Sequence, residues 1–454
     1  MLTDDVAQKL TELKMNDFKI NEIDQSKYET MQLCEVDKSC IGQRISIFGW
    51  VTASRTMKKF SFVDLTSHFK TVKCVIPTNT NINFQSSMRI YGVVKENAGT
   101  DKHLFEIAVE AYEFHNKMQA PSFPVNKESD KDTLLDNAHL ALRMKNRSLF
   151  LEARSHMLRL FREFYWKHKY CEITPPTLVQ TQVEGGSTLF SLDYYGEKAY
   201  LTQSSQLYLE TVAPVAGKAF CIMPSYRAEK SRTSRHLSEF THIEAELVDI
   251  SFEQLMDQIE SLVRYVANNF YKEMLDKIKE VDPDFVPFKF KEEKFMKITY
   301  KDAIEFFTKK SHLKTDGTKY EIGDDIADAS ERFLLEEYGK GQPVFLIRFP
   351  VEHKPFYVFK DEEGTQTCDL LFPGMGEIVG GSMRANVFQD LEDGFIREGI
   401  DPSPYYWYLD MSKYGSSQHG GYGLGFERLM LCLMKYKNVD QSCLYSRKPS
   451  RCTP

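Results

Sequence analysis

No Cys-x-x-Cys pair occurs among the nine cysteines of this 454-residue chain, so neither a zinc site nor a disulfide framework is indicated. No apolar run approaches the ~20 residues that a membrane-spanning helix needs. The N-terminus, MLTDDVAQKL, is acidic and lacks the apolar core of a secretory signal. The expectation is a reduced, cytoplasmic setting with no membrane partner. An overall basic excess is missing too. The net charge of −7 argues against indiscriminate coating of nucleic acid, though it leaves room for local basic patches. What remains is an ordinary globular composition. A hydrophobic fraction of 42% can bury a large core, and the length allows roughly two or three domains.

The stretch that organises the chain is 225–249, SYRAEKSRTSRHLSEFTHIEAELVD. Apolar runs at 219–223 and 240–247 flank a basic segment with Arg227, Lys230, Arg232, Arg235 and His236. Two strands joined by a basic loop is the simplest reading. Alternation outward from the first strand puts Arg227 and Glu229 on one face. A guanidinium fork suits a phosphate. A carboxylate, which only accepts, suits an exocyclic amine such as that of adenine. Phe240 offers a flat face to a base. Taken alone, the segment reads equally well as a solvated, charged hairpin.

In chain order, residues 1–40 are polar, with a weak helical pattern at Val6, Leu10 and Leu13, and read as a short helix and a frayed lead-in. From Gly42 to about His115, short β-type runs recur at 44–51, 60–65, 72–76, 88–94 and 104–114. Their spacing fits a small Greek-key barrel of the OB type. Such barrels bind single-stranded nucleic acid on an aromatic and basic face, for which Phe60, Phe62, Lys58, Lys59, Lys70 and Lys73 qualify. Both phenylalanines also suit a core. Residues 116–140 are rich in Pro, Lys, Asp and Asn and read as a linker. A long helix is expected over 139–169, with Leu151, Leu158, Phe161 and Tyr165 on one face, before Pro175 and Pro176 break it. A second packing helix is expected over 252–278. Residues 184–187 (EGGS) form a tight turn carrying Glu184, and 203–210 (QSSQLYLE) offer clustered amides and hydroxyls. Residues 282–342 read as a small helical insertion without visible chemistry.

Two later stretches change the odds for the hairpin: 369–384, DLLFPGMGEIVGGSMR, and 420–428, GGYGLGFER. With it they resemble the ordered motifs of class II aminoacyl-tRNA synthetases. The hairpin is similar to that family's second motif and GLGFER to its third. The helix and proline stretch resembles the first, which builds a dimer interface. The resemblance runs from about Gly42 to Pro454. It implies an α+β fold, with an N-terminal OB-type β-barrel followed by a catalytic domain built on an antiparallel β-sheet flanked by helices. The implied boundaries are 1–40 lead-in, 41–117 anticodon-binding OB fold, 118–140 linker and 141–454 catalytic domain, with an insertion at about 282–342.

The resemblance also implies a homodimeric, Mg2+-dependent ligase with ATP as co-substrate. A substrate carboxylate attacks the α-phosphorus of ATP, and the terminal ribose hydroxyl of a tRNA then attacks the acyl carbon. The first nucleophile is already an anion, so the chemistry calls for arginines and metal carboxylates rather than a nucleophilic triad. By resemblance, Arg227 grips the α-phosphate and the attacking carboxylate, and Glu229 reads the adenine amine. Phe240 stacks on the adenine, and Arg235 and His236 reach the distal phosphates beside Leu237. Arg428 closes over the nucleotide, Gly423 and Gly425 admit it, and Asp369 and Glu377 hold Mg2+. Phe62 matches the anticodon-stacking aromatic, although this barrel strand ends VDLTS where the family has LRD.

Side-chain selection points to the asparagine-specific branch. Aspartate-specific relatives neutralise a second carboxylate with an arginine plus a lysine in a QSPQLYK-like segment. Here that segment reads QSSQLYL, with Leu209 at the lysine position, while Arg384 is kept. Glu184, Gln206 and Glu244 are the implied polar partners of the amino acid. Gly380 stands where those relatives have a metal-ligating serine. One cation with added acceptors favours an amide over a carboxylate, because an unpaired buried charge is costly. The expected partners are therefore ATP, L-asparagine and tRNA(Asn). The alternatives are an aspartate-specific enzyme, an asparagine synthetase built on the same catalytic domain, and a non-catalytic, synthetase-like RNA-binding protein.

Overall fold

The computed structural model describes residues 18–97, 104–120, 122–184, 188–230, 235–449 and 451–454. The expected helix around Val6, Leu10 and Leu13 lies outside these residues, as do Gly185, Gly186 and Ser187 of the turn and Arg232 of the basic loop. The chain divides into two compact units, Met1–Met144 and Lys145–Pro454.

In the first unit, alternating apolar residues set up β1 (Arg44–Thr56), β2 (Ser61–Ser67), β3 (Lys70–Ile76), β4 (Ser87–Glu96) and β5 (Phe105–Asn116). β1 pairs antiparallel with β2 and β4, β2 with β3, and β4 with β5. A short parallel pairing of β3 with β5 closes the ring into the OB-like barrel. Ile47, Val63, Leu65, Cys74 and Ile107 fill its interior, fully buried. Period-2 alternation then settles Phe62: it lies between buried Ser61 and Val63, so it faces outward, edge-on to Phe60 at 5.1 Å.

Residues 18–40 are not a frayed lead-in. Leu33 and Val36 are fully buried in the barrel core, and Glu29–Thr30 adds a short parallel strand to β1. Lys70, expected on the nucleic-acid face, instead donates its Nζ to the Val36 carbonyl at 2.5 Å.

The second unit is built on an eight-stranded sheet. Its strands are β6 (Cys171–Glu172), β7 (Lys218–Tyr226), β8 (Glu239–Val248), β9 (Met296–Thr299), β10 (Val344–Ile347), β11 (Thr367–Phe372), β12 (Gly376–Met383) and β13 (His419–Gly425). The order is β9-β10-β11-β12-β13-β8-β7-β6. The pairings are antiparallel except at the two edges, where β9–β10 and β7–β6 run parallel.

Helices α1 (Lys145–Lys167) and α3 (Phe252–Val281) pack against this sheet, while α2 (Gln206–Ala216) and α5 (Phe426–Met434) border the site. The buried residues of α1 include Phe150, Ala153, Met157, Phe161, Phe164 and Tyr165, so Phe161 and Tyr165 are buried as expected while Leu151 and Leu158 are only partly buried. The two leucines thus lie at the margin of the buried face. The region 282–342 is helical in part, with one helix at Tyr300–Lys309. The region also supplies the edge strand β9 and α4 (Asp328–Glu337), whose acids reach the site.

Truncating Leu33 to Ala should destabilise the barrel by ~2–5 kcal/mol, the range for a fully buried leucine. Amide hydrogen exchange along Arg44–Thr56 checks this. Unchanged protection there would show that the lead-in adds nothing to the barrel.

Candidate active site

One face of the sheet carries a cavity of about 870 Å3, and every residue expected to touch nucleotide, amino acid or metal borders it. Strand register explains the convergence. Glu244 and Glu246 lie two apart on β8 and so point to the same side. Their partners across β13 are Gly423 and Gly421, and Gly380 of β12 pairs with Gly423. The glycines leave room above the strands for side chains, since a Cβ on Gly421, Gly423 or Gly380 would meet Glu246, His242 or Glu377.

The hairpin differs from expectation in one respect. β7 ends at Tyr226, so Arg227 and Glu229 lie beyond the strand rather than on its face. The ladder extends by one hydrogen bond, from the Arg227 amide to the Ser238 carbonyl at 2.9 Å. Arg227 pairs with Glu184 at 2.6 Å and lies over the Phe240 ring at 5.5 Å. Among the described residues its Nε is buried with no hydrogen-bond partner. Burial opposes its charge, but the carboxylates of Glu184, Glu377 and Glu229 outweigh that and raise its pKa. Glu229 lies 3.7 Å from His236. Burial, and then the charge of Arg428, hold the His236 imidazole below its ordinary pKa. Arg235 does not wait free for a phosphate. It binds Asp328 at 2.5 Å, Glu331 at 3.2 Å and the Met375 carbonyl at 3.0 Å. Burial, with repulsion from Glu377, pushes the Glu331 carboxyl up to about 7.

The expected metal carboxylates come together across β11 and β12. A Cβ placed on Gly380 would lie 3.2 Å from Glu377 Oε1 and 3.8 Å from Asp369 Oδ1. A side chain here would therefore fill the gap that both oxygens border. Two hard oxygen donors around such a gap suit Mg2+. Each acid also has a cation: Lys354 Nζ reaches Asp369 at 3.1 Å, and Arg428 Nη1 reaches Glu377 at 3.2 Å. Burial pushes Asp369 up to about 6. Burial also acts on Glu377, but Arg428, Lys354 and Arg227 prevail and hold it below the ordinary carboxylate range.

The amino-acid end is more constrained than one arginine with loose acceptors. Arg384 is paired bidentately with Glu246, Nε to Oε1 at 3.1 Å and Nη2 to Oε2 at 3.0 Å, and its Nη1 donates to Ser382 Oγ at 2.5 Å. Its guanidinium also lies over the Tyr357 ring at 5.4 Å. Glu244 is held by the Ser204 hydroxyl and by the Ser205 amide at 2.9 Å. Gln206 gives its side-chain amide to Glu210 at 2.9 Å. Leu209 is buried against Ala219 and Cys221, an apolar setting. Gly423 accommodates protein rather than nucleotide, since a Cβ there would lie 2.3 Å from His242 Nε2. At Gly425 the three atoms nearest the corresponding position all belong to Arg428, at 3.5 Å or more, and the glycine borders the cavity.

Sequence reasoning missed Glu246, Lys354, Asp328 and Glu331. Glu246 was findable: it repeats the side of Glu244 in the otherwise apolar run IEAELV at 243–248. Lys354 and the α4 acids left no periodic signal. Phe62 lies in the other unit, on the outer face of the barrel.

The family described as tRNA synthetases class II (D, K and N) matches residues 130–449. A probable cytoplasmic asparagine–tRNA ligase of Enterocytozoon bieneusi is 62% identical over 99% of this chain and 98% of its own length. The cytoplasmic asparagine–tRNA ligase of Mus musculus is 43% identical, covering 91% of this chain and 76% of its own. Among solved structures, Entamoeba histolytica asparaginyl-tRNA synthetase in complex with asparaginyl-adenylate superposes with a TM-score of 0.85 at 36% identity, over 94% of this chain and 99% of that one. With matches of this extent around a cavity of this composition, the chain belongs to the class II tRNA synthetases of the D, K and N group.

Proposed function

We propose that this chain is a cytoplasmic asparagine–tRNA ligase. It joins L-asparagine to ATP, giving asparaginyl-adenylate and pyrophosphate, and then passes the asparaginyl group to the terminal ribose of tRNA(Asn) with release of AMP. The observation that carries the reading is the joint placement of Arg227 and Arg384 at one cavity. One is the phosphate and carboxylate reader, the other the side-chain reader. The extent of the likeness to asparagine–tRNA ligases supports the same substrate.

In this reading the buried Nε of Arg227, without a partner among the described residues, donates to the α-phosphate or the attacking carboxylate once Glu184 releases the guanidinium. Glu184 is then free to accept from the ammonium group of asparagine. Phe240 and Glu229 hold the adenine by stacking and by accepting from its amine. Arg235, His236 and Arg428 take the distal phosphates, with Leu237 and Gly425 shaping the wall. Asp369 and Glu377 hold Mg2+, which when bound neutralises phosphate charge. Arg384 donates to the amide oxygen of asparagine, with Gln206, Glu244 and Gly380 bordering the same end.

The barrel, at about 41–117, is read as the anticodon-binding domain, followed by a linker at 118–140 and the catalytic domain at 141–454. Phe62 supports that reading by facing outward. A homodimer is supported by exposed apolar groups on the helix–proline stretch, where Trp166 is 60% and Leu178 49% exposed.

ATP–pyrophosphate exchange tests the proposal. Exchange is expected with asparagine, not aspartate, and should vanish when Mg2+ is chelated; exchange with aspartate alone would refute it. Arg227→Ala should lower asparagine-dependent exchange by ~100-fold or more while leaving the thermal melt unchanged. Near-normal exchange by that variant would remove Arg227 from the chemistry. Phe62→Ala should weaken tRNA charging yet spare exchange, and equal loss of both would sink the anticodon role. Sedimentation equilibrium should return twice the chain mass; a monomer would reject the dimer.

A further inference from the structure

Behind Arg384 lies a second carboxylate that the reaction does not use. Glu210, on the second turn of α2, places its Oε1 3.8 Å from Arg384 Nε. Three donors fix it: His419 Nε2 at 2.9 Å and the Tyr408 hydroxyl at 2.8 Å on one oxygen, and Gln206 Nε2 at 2.9 Å on the other. Glu210, Glu246 and Arg384 are all essentially inaccessible, with side chains 1–3% exposed. The site is built to hold these acids. Glu246 pairs with Gly421 across β13, and a Cβ on Gly421 would lie only 1.9 Å from its Oε2. Burial alone would lower the His419 pKa, but Glu210 and Glu246 overcome it and raise it to about 9.

The arginine therefore faces two carboxylates rather than one. Its charge is cancelled by the bidentate Glu246 before any ligand arrives, and Glu210 adds a further negative charge. His419 offsets that charge from the other carboxylate oxygen, the one turned from Arg384 Nε. A terminal N–H of Arg384 can still donate to an amide oxygen. An incoming side-chain carboxylate would add an unpaired charge to a set that is already neutral, in a dry setting where such a charge is costly. We propose that Glu210, held by His419, is a positioning residue that makes the pocket select the amide of asparagine over the carboxylate of aspartate. The inference rests on the amino-acid activation proposed above and names what enforces its selectivity. No ligand contact is assigned to Glu210; it acts through Arg384.

The test measures kcat/KM for pyrophosphate exchange with asparagine and with aspartate, in the wild type, Glu210→Gln and His419→Gln. Glu210→Gln removes the charge while keeping the shape. The aspartate-to-asparagine ratio should rise about tenfold or more, through a lower KM for aspartate. His419→Gln leaves the carboxylate charge in place, so its ratio should stay level or fall. If Glu210→Gln loses its folded melting transition, Glu210→Asp withdraws the charge by one methylene and should move the ratio the same way. A merely structural role would depress both substrates alike. A ratio within about twofold of wild type in the folded Glu210 variant would overturn the inference. A wild type that does not activate asparagine would instead overturn the proposed function, so the two failures are distinguishable.

Discussion

The ion pair between Arg384 and Glu246 is the constraint around which the amino-acid end of the cavity is arranged. Desolvating two charges is expensive, and their attraction repays it only with good geometry and with the remaining donors satisfied. The fold meets the first condition and uses three of the five N–H donors, leaving terminal N–H groups for a ligand. The guanidinium fork meets the carboxylate in two parallel hydrogen bonds, and Ser382 takes a third N–H. Glu246 fits only because its neighbour across β13 is Gly421. The glycine-rich reading of GGYGLG is therefore partly about buried acids on β8 and not only about the nucleotide.

The same logic extends across the nucleotide end. Arg227 rests on Glu184, Arg235 on Asp328 and Glu331, Arg428 on Glu377, and Lys354 on Asp369. A cluster of bare arginines in a partly enclosed cavity would carry a large desolvation and repulsion penalty. Pairing each with an acid removes most of it and holds the side chains near working positions. Binding a triphosphate then becomes an exchange of anionic partners around cations already in place. This pre-organisation lowers the ordering cost of forming the complex.

Much of this was legible from sequence, and the limits have a physical basis. Period-2 alternation foretold the barrel and the hairpin strands, whereas the placing of Phe62 on the nucleic-acid face came only from the family resemblance, because a phenylalanine in a barrel suits the core as well. The motif residues Arg227, Glu377, Arg384 and Arg428 do border a single cavity. The partner acids Asp328 and Glu331 were invisible because they come from a helix nearly a hundred residues beyond Arg235. Hydrophobic periodicity reports which face is buried, not which distant charge it meets. For the same reason Leu151 and Leu158 were misplaced on α1: leucines at its margin mimic a core position. The burial of Leu33 and Val36 was missed because a short irregular segment has no period at all.

The pairing pattern also bears on what kind of catalysis the cavity can perform. Two of its histidines, His236 and His242, are poor proton acceptors from substrate. Burial and neighbouring arginines depress His236, and burial depresses His242, whose Nδ1 is already hydrogen-bonded to Ser225 at 3.0 Å. The carboxylates at the two ends of the pocket are committed to arginines, lysine or backbone amides. A reaction that needed a strong general base would be badly served by such a site. Attack by a preformed carboxylate on phosphorus needs none; it needs its anions brought together against their repulsion. A ring of cations on releasable acids supplies that, and Arg384, neutralised in advance by Glu246, leaves the amide end of the pocket without a charge to attract the wrong acid.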